Sequence, residues 1–577
     1  MRRPARLTAF PTQPTYAPVT ETARDADTPA PTPPKRGGGM LRSSAIFAGL
    51  TLISRFLGLA RDLVITAKLG TNFAGDAYFT AQTFPNLFRR MFAEGAFAAA
   101  FVPEYSKRLA GDGAEAADRY AADALATMAA FTVALTIVCQ LAMPWIMYVY
   151  SYGYGPGSPL MPTDGATAKF KLAVLLTTVT MPYLPCVVIA SLFAGVLTSR
   201  GRFVIYGLYP ALLNVVTLLA VIPESDPVRA AWAASWGTII AGVSQAALCW
   251  WGAHKSGAKI RPTALKLTPE MRTLARRMAP GVLASSATQI NLFISAILAS
   301  QVSGMRVWLA MAERFYQLPL TLVGVAIGVA LLPRLATALQ REDHDDAQAA
   351  MDQAVVFGLA LSLPAAAALA GMPGYLTDGF FARGNFTHAD AANSAKLLFH
   401  YGWGLPAFVL IKILQPAFFA RGDTRRPMVY SMVSVAVNIG LGVALFFTVG
   451  FAGIAAATAA ASWITVAQLW LRLGATGTWR PSARAWGKVV RVAMSSAALG
   501  VAVAIASHFR PVLEAPLAHV RLGPLGAKEI TVLLVCIAGA ALYPALLFAF
   551  GGVTPAEARA AFRRRKGDVA APSSDLL

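Results

Sequence analysis

Long apolar runs separated by short polar connections recur from about residue 41 to residue 551, and they constrain the fold more than any other feature. The chain is 56% hydrophobic and only 14% charged, against roughly 25% charged residues in ordinary soluble domains. Because a chain in lipid must satisfy its backbone hydrogen bonds internally, only helices and closed barrels can span a bilayer. Barrel strands would show short segments of alternating hydrophobicity instead. The sequence therefore predicts an all-α polytopic membrane protein.

About fourteen transmembrane helices are predicted from windows of about 19 residues. The predicted spans are 42–67, 75–103, 123–150, 168–198, 203–222, 229–251, 272–300, 304–338, 348–371, 392–420, 427–449, 452–473, 486–508 and 527–551. The predicted divisions are a disordered tail at 1–40, an N-terminal six-helix lobe at 41–252, a C-terminal six-helix lobe at 253–474, two accessory helices at 475–552 and a basic cytoplasmic tail at 553–577.

The two halves of the chain repeat one sequence pattern of a proline, an Arg-Gly pair and an asparagine. The pattern lies at Pro185, 200–201 and Asn214 in the first half, and at Pro406, 421–422 and Asn438 in the second. Spans 1–6 and 7–12 are therefore expected to be two copies of one unit, forming lobes around a central site. A channel of repeated subunits is a rival arrangement. The charged residues of the two halves have diverged, however, which favours one asymmetric cavity.

The positive charge of the chain, formally +21 at pH 7, lies mostly in the short connections between apolar runs. With the N-terminus inside, the inside connections hold about twice as many lysines and arginines as the outside ones, to which Lys169 and Arg306 are assigned. This bias predicts a multi-pass protein of the cell inner (cytoplasmic) membrane with both termini in the cytoplasm. The basic cluster at 563–566 agrees with that orientation. Membrane topology thus accounts for the charge, and a nucleic-acid partner is not expected.

Cofactor, metal and catalytic chemistry has little support in the sequence. The four cysteines lie in apolar runs without metal-ligand spacing, and the six histidines form no i,i+4 pair. Within the predicted spans, no acidic cluster or Asp-x-Asp pattern offers to hold Mg²⁺. The expectation is a protein that binds and releases a ligand, without a cofactor or a metal, rather than an enzyme.

The first predicted span carries three charges, Arg55, Arg61 and Asp62, inside an otherwise apolar run. Arg55 lies roughly 20 Å from the polar start of the helix, near the middle of a hydrocarbon core about 30 Å thick. An arginine at that depth costs at least about 2.5 kcal/mol, so it needs a counter-charge, a water-filled cavity or an anionic ligand. Asp62 shares a helix face with Arg55 and is predicted to be its partner within the helix. The sequence leaves open which arginine faces a cavity.

Spans 2 and 8 also carry charges at membrane depth. Span 2 begins at Asp76, is expected to be interrupted at Pro85, and continues to Arg89. Next come Arg90 and Glu94, an i,i+4 pair with a possible structural role. Span 8 contains Glu313 and Arg314, and Pro319 is expected to interrupt its helix.

Each of these arginines could be a snorkelling residue or part of a structural ion pair. Basic sites at membrane depth on spans 1, 2 and 8 nevertheless draw on both halves of the chain, which favours a cavity between two lobes that binds an anion. Guanidinium groups suit phosphate or pyrophosphate oxygens because they bind two oxygens at once. A membrane transferase would need loop acids or a nucleophile, and candidates for these are absent from the sequence.

The sequence resembles the MurJ/MviN family of lipid II flippases, in the multidrug/oligosaccharidyl-lipid/polysaccharide exporter superfamily. The resemblance lies in SRFLGLARD (54–62), GDAYF (75–79), FPNLFRRMFAEGAFAAAFVP (84–103), AERFYQLP (312–319) and LPAFVLIKILQPAFFARGDTRRP (405–427), and it extends over roughly residues 41 to 551. It implies fourteen helices in two six-helix lobes forming a V, plus two helices flanking a groove.

The resemblance also implies a function: movement of an undecaprenyl-diphosphate-linked peptidoglycan precursor from the inner to the outer leaflet for cell wall synthesis. The residues implied to hold the diphosphate are Arg55, Arg61, Arg89 and Arg314, with Asp62, Asp76, Arg90, Glu94 and Glu313 as supporting or gating charges. The implied partners are membrane lipids and proteins of cell-wall synthesis or division, and a monomer is expected.

Two positions depart from the family pattern. Thr83 stands where relatives often have lysine, which puts an extra phosphate contact in doubt, and Glu313 stands where aspartate is common. Two alternatives remain on the same architecture: an exporter of another polyprenyl-diphosphate-linked oligosaccharide, and a drug or cation antiporter. The antiporter would be expected to have a cavity lined by acids and aromatic residues.

Overall fold

A computed structural model describes residues 37–92, 97–154, 163–261, 263–266, 268–341, 343–520 and 526–552. Within these ranges almost every residue is helical, as the apolar runs predicted, and the one β-bridge is the isolated pair Arg383–Phe386. The tail expected to be disordered at 1–40 overlaps α1, because 37–40 are helical, so this part of the prediction is wrong. The rest of that tail, 1–36, and the basic tail at 553–577 lie outside the described residues.

The first group of helices corresponds to spans 1–6. It consists of α1 (Gly37–Leu69), α2 (Phe73–Arg89), α3 (Phe97–Gly111), α4 (Ala114–Leu141), α5 (Met143–Tyr150), α6 (Thr163–Thr180), α7 (Tyr183–Ser199), α8 (Phe203–Val221) and α9 (Pro227–Lys255). Here α1 packs on α8, α7 and α8 pack on α9, and α2 packs on α6. We call this group the first lobe.

The second group corresponds to spans 7–12. It consists of α10 (Pro269–Ser300), α11 (Met305–Gln340), α12 (His344–Gly371), α13 (Pro373–Phe381), α14 (His388–Phe419), α15 (Arg425–Thr448) and α16 (Gly453–Ala475), and we call it the second lobe. The accessory helices are α17 (Ala483–His508), α18 (Arg510–Glu514) and α19 (Ala527–Ala549). Of these, α17 packs on both α12 and α19, which joins the accessory pair to the second lobe.

Among the described residues, nine helical segments are long and apolar enough to cross a membrane by length and composition alone. The other five predicted spans correspond to α1, α2 with α3, α9, α10 and α11, whose apolar runs contain charged, proline or small polar residues. The α6–α7 segment and α14 are buried over 61% and 67% of their apolar windows, against 6% for α19. The lobes are therefore centred on α6–α7 and α14, and the predicted fold class is confirmed.

The sequence repeat reappears as a repeat of local structure. Gly201 and Gly422 follow the ends of α7 and α14 with φ of +73° and +74°. In each case the next amide closes the helix end, Arg202 N onto Leu197 O at 2.8 Å and Asp423 N onto Phe418 O at 3.0 Å. This geometry requires a left-handed residue, which glycine adopts without a steric penalty.

The repeated asparagines have matching roles as well. Asn214 of α8 donates to the backbone oxygen of Ser54 in α1 at 2.9 Å. Asn438 of α15 donates to Oδ1 of Asn291 in α10 at 2.7 Å. Since both asparagines are buried, each joins the fifth span of its lobe to the first through a polar bond inside an apolar interface. Such bonds fix how the two helices pack.

Two predicted helix interruptions are wrong. The α2 helix continues through Pro85 to Arg89 and widens into a π-helical turn at 90–92. The α11 helix runs through Pro319 without a break, from Met305 to Gln340. Neighbouring helices in a bundle can satisfy the backbone groups that a proline frees, so proline is a weaker helix breaker there than in water.

Candidate functional site

Asp62 is the centre of a charge cluster that joins the two lobes. Its carboxylate is 1% exposed and accepts two hydrogen bonds at Oδ1 from Arg61, at 3.0 Å from Nε and 2.7 Å from Nη2. Its second oxygen forms an ion pair with Nε of Arg314 on α11. One carboxylate of α1 therefore holds an arginine from each lobe.

This arrangement corrects the predicted role of Asp62 as the helix-internal partner of Arg55. Spacing by seven residues places Arg55 and Asp62 on one helix face, but the adjacent Arg61 and the facing Arg314 supply the ion pairs of Asp62. Arg55 is half-buried, two turns earlier on α1. Close to it, Gly58 lies against the side chain of Asn214, so α8 approaches α1 at this level.

Arg61 points into the first lobe. The residue is 3% exposed, and its electrostatic partners besides Asp62 include Tyr78 of α2 and Tyr183 of α7. Arg314 differs from it, since its side chain is 30% exposed although it contacts the same carboxylate. In this conformation Arg61 positions Asp62, whereas Arg314 remains accessible from the space between the lobes. The predicted contact of Arg61 with a substrate stays a prediction.

The end of α2 carries two more of the predicted arginines, Arg89 and Arg90. Arg89 is half-buried and donates to Oδ1 of Asn86 at 2.8 Å, and it lies within electrostatic reach of Tyr209 on α8. Arg90 is exposed and interacts electrostatically with Glu313 on α11. Its predicted partner, Glu94, lies outside the described residues.

The structure therefore brings together predicted charges from α1, α2 and α11. Glu313 lies within reach of Arg90 from the first lobe and of its own neighbour Arg314, and it accepts a long hydrogen bond of 3.4 Å from Gln317. Basic side chains from both lobes thus surround two carboxylates, and several of these side chains remain partly exposed. The arginines of such a cluster can release a carboxylate of the protein and bind the oxygens of an incoming anion instead.

Asp76 lies elsewhere, at the end of the molecule that carries the α1–α2 turn (70–72), the α10–α11 turn (301–304) and the loop 382–387. We call this the closed end. Asp76 is fully buried, forms an ion pair with Lys169 of α6, and accepts a hydrogen bond from the backbone amide of Gly304 at 2.8 Å. Lys169 also reaches Oγ of Ser303 at 3.4 Å. Asp76 and Lys169 therefore bind the start of α11 to the first lobe.

Arg306 makes a second connection beside this one. The residue is 7% exposed, and it donates from Nη1 to Thr80 Oγ1 at 2.7 Å and from Nη2 to the backbone oxygen of Tyr150 at 2.8 Å. Its guanidinium carbon lies 4.6 Å from the centre of the Tyr150 ring, which adds a cation–π contact.

Lys169 and Arg306 were assigned to outside connections from the sequence, and the structure shows that both are buried. The sequence did contain one sign of this ion pair: Asp76 and Lys169 have opposite charges and lie at the same predicted side of the membrane, at the starts of spans 2 and 4.

Asp390, another residue without a predicted role, completes the closed end. Its Oδ1 accepts hydrogen bonds from Thr71 in the α1–α2 turn at 2.7 Å and from Trp308 of α11 at 3.0 Å. Nearby, Asn385 donates its backbone amide to Ala67 O at 2.8 Å. Gly384 has φ of +57°, and a Cβ there would lie 2.3 Å from the same oxygen. The loop and α1 are therefore in direct backbone contact.

The opposite end carries the α3–α4 turn (111–113) and the connection 256–266, and we call it the basic end. Two ion pairs join α3 to α10 there: Arg108–Glu270 at 3.1 Å and Arg277–Glu104 at 2.8 Å. Hydrogen bonds from Arg277 and Arg108 lower the pKa of Glu104. These pairs are partly exposed, so each contributes little to stability.

Comparison with known proteins places the chain in a family. A family model described as "Lipid II flippase MurJ" matches residues 65–517. The chain belongs to the lipid II flippase MurJ family. A protein of Rhizobium tropici named "Probable lipid II flippase MurJ" is 36% identical, over 91% of this chain and 97% of its own. The protein of the same name from Rhizobium meliloti (strain 1021) is 35% identical, over 91% and 96%.

Solved structures agree on the fold. "Lipid II flippase MurJ, inward closed conformation" matches with a TM-score of 0.69 at 21% identity, covering 87% of this chain and 98% of that one. An inward-facing multidrug resistance MATE family transporter of the MOP superfamily matches with a TM-score of 0.60 at 14% identity, covering 75% and 98%. The chain is thus a multi-pass membrane protein with the fold shared by MurJ and MATE transporters.

Proposed function

We propose that the protein is a flippase that moves lipid II, the polyprenyl-diphosphate-linked peptidoglycan precursor, from the inner to the outer leaflet of the cytoplasmic membrane. Membership of the MurJ family supports the transport class and the substrate. The charge cluster around Asp62 supports a diphosphate as the group that the protein holds in the membrane. The protein would act as a monomer, without catalysis or a cofactor.

The ion pair between Asp62 and Arg314 is the observation that carries the mechanism. A guanidinium group can bind a carboxylate or a diphosphate with similar geometry, and Arg314 is 30% exposed. A diphosphate entering between the lobes would therefore compete with Asp62 for Arg314. Binding would remove one connection between α1 and α11, and the free energy of the new contacts would shift the population of lobe arrangements.

Orientation follows from the distribution of charge. With both termini in the cytoplasm, the basic end faces the cytoplasm and the closed end faces outward. In the conformation described, the contacts of Asp76, Arg306 and Asp390 would keep the outer side shut. The headgroup would enter from the inner side once the partly exposed ion pairs between α3 and α10 separate there, while the polyprenyl tail would stay in lipid.

The experiment is depletion of the protein in cells that depend on it, followed by labelling of lipid II headgroups on the outer leaflet. Depletion should lower the labelled fraction, and re-expression of the wild-type chain should restore it. Arg314→Gln should not restore it. The matched control is Arg334→Gln, on the same helix but paired with Asp346, and it should restore labelling. Unchanged outer-leaflet lipid II after depletion would contradict the proposal.

A further inference from the structure

A cavity of about 260 Å³ lies in the second lobe between α11, α14 and α16. Tyr316 and Phe408 form its aromatic walls, and Lys412, Gln415 and Thr458 provide its polar groups. Neither the family's cluster of arginines nor the closed end uses these side chains. The cavity has the composition of a ligand site, which combines apolar walls with a few directed polar groups.

Lys412 gives the cavity its charge. The residue lies on α14, seven positions before the end of the helix, and its side chain is exposed to the cavity. Side chains on a helix tilt toward its N-terminus, which directs the ammonium group away from the nearer membrane surface. The aliphatic part of the Lys412 side chain packs beside Gly324 of α11, since a Cβ on Gly324 would lie 3.6 Å from Cδ of Lys412. The lysine thus lies along α11 rather than snorkelling to the interface.

The cavity adjoins the charge cluster described above. Tyr316 is two residues beyond Arg314 on α11, and it lies within electrostatic reach of both Glu313 and Arg90. From Arg314 to Leu320, the far lining residue on α11, the helix rises about 9 Å. Arg314 and Tyr316 point to different faces of α11, because residues two apart on a helix do not share a face. Arg314 pairs with Asp62 of α1, whereas Tyr316 packs on α14. The cavity therefore adjoins the cluster at Glu313 and Arg90.

Volume and chemistry limit what the cavity can hold. A space of 260 Å³ corresponds to about nine water molecules at roughly 30 Å³ each, which suits one amino-acid residue. The cavity is open on one side, so the rest of a larger headgroup can extend out of it. The ammonium group of Lys412 and the amide of Gln415, between aromatic walls, are suited to a carboxylate attached to an aliphatic carbon, whereas the hydroxyl of Thr458 already donates to Ile454 O at 2.9 Å. Peptide carboxylates are the acidic groups of the lipid II headgroup beyond the diphosphate.

We propose that this cavity is the subsite for a carboxylate of the headgroup peptide, and that Lys412 determines the preference for an acidic peptide. The inference rests on the flippase function proposed above. It assigns the arginine cluster of α1, α2 and α11 to the diphosphate, and the Lys412 cavity between α11, α14 and α16 to the peptide. The two parts of the headgroup are then recognised at separate places, and α11 contributes to both.

The test uses the full-length protein in phosphatidylcholine proteoliposomes, which contain no anionic lipid headgroup. Two synthetic polyprenyl-diphosphate disaccharide-pentapeptides are compared, one with free peptide carboxylates and one with those groups amidated. The wild type should bind the acidic substrate about tenfold more tightly, as expected for one charge-assisted hydrogen bond. Lys412→Gln should remove that preference while binding the amidated substrate within about twofold of wild type, and Lys412→Arg should keep the preference.

Lys396→Gln is the matched control, because Lys396 lies on the same helix but bonds to Asn393 near its other end. It should retain the preference. Equal binding of both substrates by the wild type, or an equal loss for both in Lys412→Gln, would overturn the inference. A preference that disappears in phosphatidylglycerol vesicles would also overturn it, because the cavity would then take a lipid phosphate. If the wild type bound neither substrate, the flippase function itself would fail.

Discussion

The cluster around Asp62 and the closed end both join the lobes through charged side chains, but they differ in burial. At the closed end, Asp76 is fully buried, Lys169 is 2% exposed and Arg306 is 7% exposed. In the cluster, Asp62 and Arg61 are as buried as these residues, at 1% and 3% exposed, but Arg314 is 30% exposed and Arg90 is exposed. Removing one partner of a buried ion pair costs about 3–5 kcal/mol, whereas exposed pairs contribute about 0–1 kcal/mol. The closed end is therefore suited to hold a conformation, and the cluster to exchange partners.

The largest expected effect is on stability at the closed end. Lys169→Met should lower the free energy of unfolding by about 3–5 kcal/mol, because Asp76 would remain buried without its cation. Thermal unfolding of the purified protein measures the change. Lys171→Met is the control, since Lys171 is exposed on the same helix. The double variant Asp76→Asn with Lys169→Met should be less destabilised than the sum of the single changes. Additive effects would contradict the pairing.

The next effect is on transport, in the cluster. Arg314→Lys keeps the charge but loses the planar group that binds two oxygens, so flipping should slow about tenfold, which corresponds to about 1.4 kcal/mol. Unfolding should change by less than about 1 kcal/mol. Arg55→Lys should also slow flipping. The measurement is the rate of lipid II translocation in proteoliposomes, with Arg334→Lys as the control. If Arg314→Lys and Arg55→Lys both translocate lipid II at the wild-type rate, bidentate contacts are not required for flipping.

A smaller effect is expected from the loop of the closed end. Asp390→Asn weakens the bonds from Thr71 and Trp308, each worth about 0.5–1.5 kcal/mol, so the open population should rise. Spin labels at Phe73 and Ala392, which are both exposed, would report the distance across this end. The long-distance population should increase in Asp390→Asn. It should not change in Asp226→Asn, since Asp226 caps α9 within the first lobe. An unchanged distance distribution would show that Asp390 does not hold this end shut.

The smallest effect is a pH dependence where the accessory helices attach. Burial alone would raise the pKa of Asp378, but hydrogen bonds from His388 and Arg510 outweigh it and lower that pKa. A carboxyl with a lowered pKa stabilises the fold above its unfolded pKa of about 3.9, and this contribution is lost as pH falls through the folded value. Wild type should therefore exceed Asp378→Asn in stability at pH 7, and the difference should shrink below about pH 4. A difference that is constant with pH would exclude this linkage.

Much of the fold could be predicted because lipid imposes a simple rule. Apolar runs of this length must form helices, since the backbone has no water to bond with, and this fixed the fold class. The Arg-Gly pairs and the asparagines of the sequence repeat also indicated repeated local structure correctly, because each of these residues acts on its own helix or on an adjacent one. Gly201 and Gly422 end a helix, and Asn214 and Asn438 bond to a neighbouring one. That the charges of α1 and α11 lie at membrane depth stays a prediction.

Only the tertiary structure decided how those charges pair. Spacing along one helix suggested Arg55 as the partner of Asp62. The observed partner Arg314 lies 252 positions later in the chain, and no spacing pattern within α1 indicates that contact. Likewise, the sequence assigned Lys169 and Arg306 to connections between spans, and only the packing of α2, α6 and α11 shows that both are buried. Sequence determines which residues lie at which depth. The free energy of a charge depends on its surroundings, and those are set by helices distant in the sequence.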